Sequence, residues 1–127
     1  MLHLRPPDLA GFGERLASTL FIPALGEEAA FRGLFVPDRA AARRPWLALL
    51  TVTVAFTLWH GVETLFLRHA ASIFLRPDFL ACATILGLVC GLMRWRTGSL
   101  WPGVLLHWSA VFVWQTWLGG PGLQALR

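Results

Sequence analysis

The chain has 127 residues, 56% of them hydrophobic and 14% charged, with a mean hydropathy of +0.59. A soluble domain normally carries about 25% charged residues, so the composition argues against a soluble enzyme and for one compact polytopic membrane domain. The net charge is +4 and all eleven basic residues are arginines; they are scattered over helix ends and loops rather than gathered in a stripe, which argues against a nucleic-acid partner.

Residues 1–14 form a polar lead-in containing Arg5, Pro6, Pro7 and Asp8. No apolar run ends there in a small-residue cleavage site, so no cleavable signal peptide is expected. Four apolar segments follow: Arg15 to Val36, Trp46 to Leu67, Phe79 to Met93 and Leu100 to Leu118. Each is long enough, or nearly so, to cross a hydrocarbon layer of roughly 30 Å, the third being short. The expected fold is therefore all-α, a polytopic membrane helical bundle of about four transmembrane helices with short loops.

The loop from Pro37 to Pro45 is punctuated by proline at both ends, and Arg68 to Asp78 holds a short candidate interfacial segment, Ala71–Leu75. In the turn Arg94–Ser99, Ser99 is the expected N-cap of the last span, and Pro102 falls in its first turn. With four crossings, Arg39, Arg43, Arg44, Arg94 and Arg96 lie on one side, and Arg5, Arg15, Arg68, Arg76 and Arg127 on the other. That balance leaves orientation open under the positive-inside rule. Trp46, Trp95, Trp101 and Trp117 fall near helix ends, as interfacial tryptophans do. Cys82 and Cys90 lie about 12 Å apart along one helix axis, too far for a disulfide, and read as small buried packing residues.

Polar residues inside the spans carry the functional signal. Glu27, Glu28 and Arg32 interrupt the first apolar run, and three unneutralised charges at mid-membrane would cost up to roughly 10 kcal/mol. Glu28 and Arg32 are four apart and share a helix face, while Glu27 is rotated by about 100° and is free to face something else. His60 lies deep in the second span, one turn after Phe56, and His107 lies in the fourth. Groups of this kind are expected to face one another or a wet cavity, and one carboxylate with two imidazoles can activate water. His3 and His69 lie near predicted ends and read as solvated. Glu63 reads as interfacial, with a supporting role beside His60 as the alternative.

These residues together resemble the CAAX-protease and bacteriocin-processing family of intramembrane endopeptidases. Glu27-Glu28-x-x-x-Arg32 matches the family's first motif and Phe56-x-x-x-His60 its second. Gly87, Gly91, Thr97-Gly98-Ser99-Leu100 and His107 match the region of the third. The resemblance covers about residues 20–118 and implies a single protease domain over 1–127. It implies that Glu27 is the general base, that His60 holds and polarises water, and that His107 donates to the oxyanion. Glu28 and Arg32 are implied to be structural, with Phe56 supporting. The implied function is hydrolysis of a peptide bond near a C-terminal or membrane-proximal segment of a membrane or lipid-modified protein. The implied setting is a multi-pass protein of the bacterial inner membrane.

Where the family usually places asparagine four residues after the last histidine, this chain has Val111, and it contains no asparagine at all. That departure removes part of the implied oxyanion site and leaves open a peptide-binding immunity or adaptor protein of the same fold. No cofactor is favoured. A zinc-dependent version would use Glu27, His60 and His107, but the chain lacks a His-Glu-x-x-His helix. A haem or metal carrier held by the two histidines would leave Glu27 without a task.

Overall fold

The computed structural model describes residues 3–4, 6–7 and 9–126, with the Leu123 side chain set aside; Arg5 and Arg127, counted in the charge balance above, lie outside the described residues. The described residues form helices and connections, with no strand among them. Helix α1 (Phe12–Thr19) runs on through π-helical stretches at Leu20–Leu25 and Glu28–Gly33. Then come α2 (Trp46–Glu63), α3 (Ala71–Phe74), α4 (Pro77–Thr97), α5 (Trp101–Trp117) and α6 (Leu123–Leu126). Two helices, α2 and α4, are long and apolar enough to cross a membrane. Helix α5, with 17 residues, is slightly shorter.

The first π stretch has a local cause. Pro23 lies inside it, lacks an N–H, and in α geometry its ring would press on the carbonyl four residues back. The wider turn relieves that crowding, and Gly26 N–H donates to the Phe21 carbonyl five residues back. Thr19 Oγ1 donates to the Arg15 carbonyl at 2.7 Å, a back-bond of the kind that bends helices. The second stretch holds Glu28 and Arg32 within one widened turn.

Helix α2 buries Leu49, Val52, Thr53, Phe56 and His60, a three-and-four spacing that defines one face. Its other faces expose Leu47, Leu50, Val54 and Leu58. A helix apolar all round belongs in a core or a membrane, and these residues have no core to enter. Thr57 and Thr84 hydroxyls meet at 2.9 Å between α2 and α4, a polar tie suited to helices that gain little from hydrophobic association in lipid.

Helix α4 begins with Pro77 at its first position and ends at Gly98, whose φ of 69° places it in the left-handed region that favours glycine. It is longer at both ends than the Phe79–Met93 expectation, so the shortfall in span length disappears. Its buried face consists of Phe79, Ala83, Gly87, Cys90 and Gly91. The Gly87-x-x-x-Gly91 pair admits neighbours closely. A methyl group at Gly87 would fall 2.8 Å from Arg32 Nη2 and 2.9 Å from Phe56 Cδ1, and one at Gly91 would fall 2.9 Å from Leu49. Gly87→Leu should therefore lower stability by about 1–3 kcal/mol, read as an earlier unfolding transition in detergent.

Three sequence expectations need adjustment. The cap position of α5 is Leu100, not Ser99, although Ser99 Oγ still accepts the Trp101 N–H at 3.3 Å. Cys90 is fully buried and its thiol reaches the Gly103 carbonyl, whereas Cys82 is exposed. Eight residues of α-helix turn the two by about 80° relative to each other, enough to place them on different faces. The second span ends at Glu63, and residues 64–70 form turns. Helix α3 falls in the segment read as interfacial, and Trp95 Nε1 donates to the Ala42 carbonyl at 2.7 Å, tying the end of α4 to the loop before α2.

Candidate active site

Three buried side chains, Glu28, Arg32 and His107, make a continuous polar cluster. Glu28 and Arg32 are almost wholly inaccessible, at 1% and 0% exposure. Arg32 Nη1 lies 3.2 Å from Glu28 Oε1, the pairing expected from their spacing. The same carboxylate oxygen accepts from His107 Nδ1 at 3.0 Å, a contact across 79 positions of chain. The Phe56 ring lies 4.0 Å from the Arg32 guanidinium carbon and edge-on to both His60 and His107. The desolvated guanidinium thus has a carboxylate on one side and an aromatic face on another. Gly103 gives Glu28 its space, since a methyl there would stand 3.2 Å from Oε2.

This wiring sets the orientation of both imidazoles. His107 gives its Nδ1 proton to Glu28, and His60 gives its own to the Phe56 carbonyl at 3.0 Å. In each ring Nε2 is left over. His107 Nε2 lies 3.8 Å from Glu27 Oε2, longer than a direct hydrogen bond. Glu27 Oε2 is buried without a hydrogen-bond partner among the described residues. Glu27, His60 and Glu63 each place a ligand-type atom within 4.8 Å of the other two.

All three groups border a cavity of about 950 Å³, as do His107 and Val111. A cavity of this size admits a ligand of drug or short-peptide dimensions. Its walls are mainly apolar, from Ile22, Leu86 and Leu106 among others. Among the described residues on its wall, the charged side chains are carboxylates, and none is a lysine or arginine.

The structure therefore brings together Glu27, Glu28, Arg32, Phe56, His60 and His107, drawn from the π-helical segment, α2 and α5. His3 and His69 are exposed and stand apart from the cavity. One feature escaped the sequence reading: Glu28 grips His107 as well as Arg32. Glu63 borders the cavity beside His60, in keeping with the alternative left open for it. The three-residue spacing from His60 was the available signal for Glu63, because it puts both on one helix face. The metal-competent cluster contains Glu63 where the sequence had suggested His107.

The architecture and this site define a class: a membrane-type helical protein with carboxylates and imidazoles gathered around an apolar cavity. The family model described as type II CAAX prenyl endopeptidase Rce1-like matches residues 14–113, well over half of the chain. The chain belongs to that family, whose members are membrane-embedded proteases. No curated protein and no solved structure matches it.

Proposed function

We propose that the chain is a multi-pass intramembrane endopeptidase that cleaves a membrane or lipid-modified protein near a C-terminal or membrane-proximal segment. The observation that carries this reading is the convergence of Glu27, His60 and His107, from three helical segments, on one cavity. The crossings are the helical segment 12–35 with its π stretches, α2, α4 and α5, and the whole chain acts as one unit.

In this reading a water molecule lies between Glu27 and His60 Nε2. Glu27 takes its proton as the oxygen bonds to the scissile carbonyl carbon, giving a tetrahedral oxyanion. His107, protonated on Nε2, donates to that oxyanion, while Glu28 balances the imidazolium charge through Nδ1. Glu27 then delivers the proton to the amide nitrogen, the C–N bond breaks, and the carbonyl re-forms. General acid–base catalysis supplies about 10²–10⁴-fold and one oxyanion donor about 10²–10³-fold. Val111, on the cavity wall where family members usually carry asparagine, offers no second donor, so a slow enzyme is expected. No cofactor enters this sequence of steps.

The Val111 departure also favours a second reading, a protein of the same fold that holds a peptide without cutting it. Terminal proteomics separates the two. Membrane proteins from cells with and without the chain are compared by mass spectrometry. New termini that require the chain support the protease. Identical termini, with an intact peptide co-purifying, overturn it in favour of the binding protein.

A further inference from the structure

We infer that Glu27, His60 and Glu63 form a binding site for a borderline divalent cation of the zinc type, with His107 outside the ligand set. The inference does not depend on peptide hydrolysis. Each of the three residues offers one ligand atom, and those atoms lie within 4.8 Å of one another. Zinc–oxygen and zinc–nitrogen bonds are about 2.0–2.2 Å, so neighbouring ligand atoms of a tetrahedral site stand about 3.3–3.6 Å apart. An ion would draw the three side chains closer, the half-buried Glu63 among them.

Three independent observations point to a cation. First, His60 is only 7% exposed, and its Nδ1 proton is committed to the Phe56 carbonyl at 3.0 Å. That bond fixes the tautomer and leaves the Nε2 lone pair for the cavity, the arrangement by which ligating histidines are usually held. Second, Glu27 Oε2 is buried with no hydrogen-bond donor of its own. Third, the cavity wall carries two carboxylates and no lysine or arginine among its described residues. The nearest guanidinium, Arg32, pairs with Glu28 and lies against the Phe56 ring.

Helix geometry delivers two of the ligands together, since His60 and Glu63 are three residues apart on α2 and share a face. Glu27 completes the set from the π-helical segment. One imidazole and two carboxylates suit zinc, manganese or ferrous iron, and three protein ligands leave a position open toward the cavity. His107 stands outside the set by position, since the group of ligand atoms within 4.8 Å of one another consists of Glu27, His60 and Glu63. An ion here would engage the carboxylate on which the proposed hydrolysis relies, and so would compete with the reactive water.

The test is direct metal titration of the purified chain in detergent after chelator treatment. Cobalt(II) reports through its visible absorption and zinc by competition. The expected result is one ion per chain with a Kd of about 1 μM or tighter. Glu63→Gln should weaken binding at least about tenfold, while His107→Gln should leave it essentially unchanged. Tryptophan fluorescence verifies that each variant unfolds cooperatively, and zinc should raise the unfolding temperature of the native chain by mass action. Absence of binding to the native chain overturns the inference whatever the variants do. Loss of binding in His107→Gln with retention in Glu63→Gln overturns the ligand set. Neither result bears on whether the protein cleaves peptides, which the terminal proteomics reads separately.

Discussion

Glu27→Gln should lower the rate of substrate cleavage by about 10²–10⁴-fold while leaving the folded state nearly as stable as before. The two side chains have the same shape, but the amide cannot accept a proton from water or return one to a leaving nitrogen. Glu27 Oε2 makes no hydrogen bond that the amide would forfeit, and its distance to His107 Nε2 is already 3.8 Å. Stability and activity should therefore separate at this position. The measurement is the initial rate at which a chain-dependent terminus appears, with the unfolding transition of the detergent-solubilised variant recorded alongside. Undiminished cleavage by a well-folded Glu27→Gln protein would remove the general base from the mechanism.

Arg32→Met makes the opposite separation and should cost about 3–5 kcal/mol of stability. Methionine retains much of the side chain's length, so packing beside Phe56 is largely kept. What disappears is the cation 3.2 Å from a carboxylate that is itself 1% exposed. The carboxylate left behind keeps its contact with His107 but loses its guanidinium. The cation–π contact of Arg32 with Phe56 adds about 2 kcal/mol in a desolvated setting. The double variant Glu28→Gln, Arg32→Met should recover most of the loss, because no stranded charge remains. Denaturant or thermal unfolding in detergent gives both numbers. A single variant as stable as the native chain would show that the ion pair is not what keeps Glu28 inside.

Much of this was legible from residue order because the environment is simple. Apolar runs mark α2, α4 and α5, and a charge inside such a run demands a partner. Glu28 with Arg32 and Phe56 with His60 follow from one-turn spacing alone. Helix ends were harder to read. Helix α4 extends through Arg94 and Arg96 to Thr97, polar residues that resemble a connection, and Gly98 is what stops it. Long-range partners were harder still. A carboxylate has two oxygens and several lone pairs, so pairing Glu28 with Arg32 gives no hint that His107 shares the same atom. Glu63 could be read two ways, because its three-residue spacing from His60 fixes a shared face but not what lies opposite that face. Pro23 marks one π stretch, whereas the residues from Glu28 to Gly33 carry no comparable sign of the other.

Those two widened turns also govern how the gene can change in length. A π turn closes over one more residue than an α turn, so deleting a single codon between 20 and 25 would let ordinary helix form. Everything beyond would then keep roughly its bearing, whereas removing a codon from the ordinary α turns of 12–19 would swing both glutamates by about 100°. The loop between Val36 and Pro45 has no such constraint of phase. Length variation compatible with function should accumulate in that loop and be purged from the ordinary α turns of the helical segment 12–35.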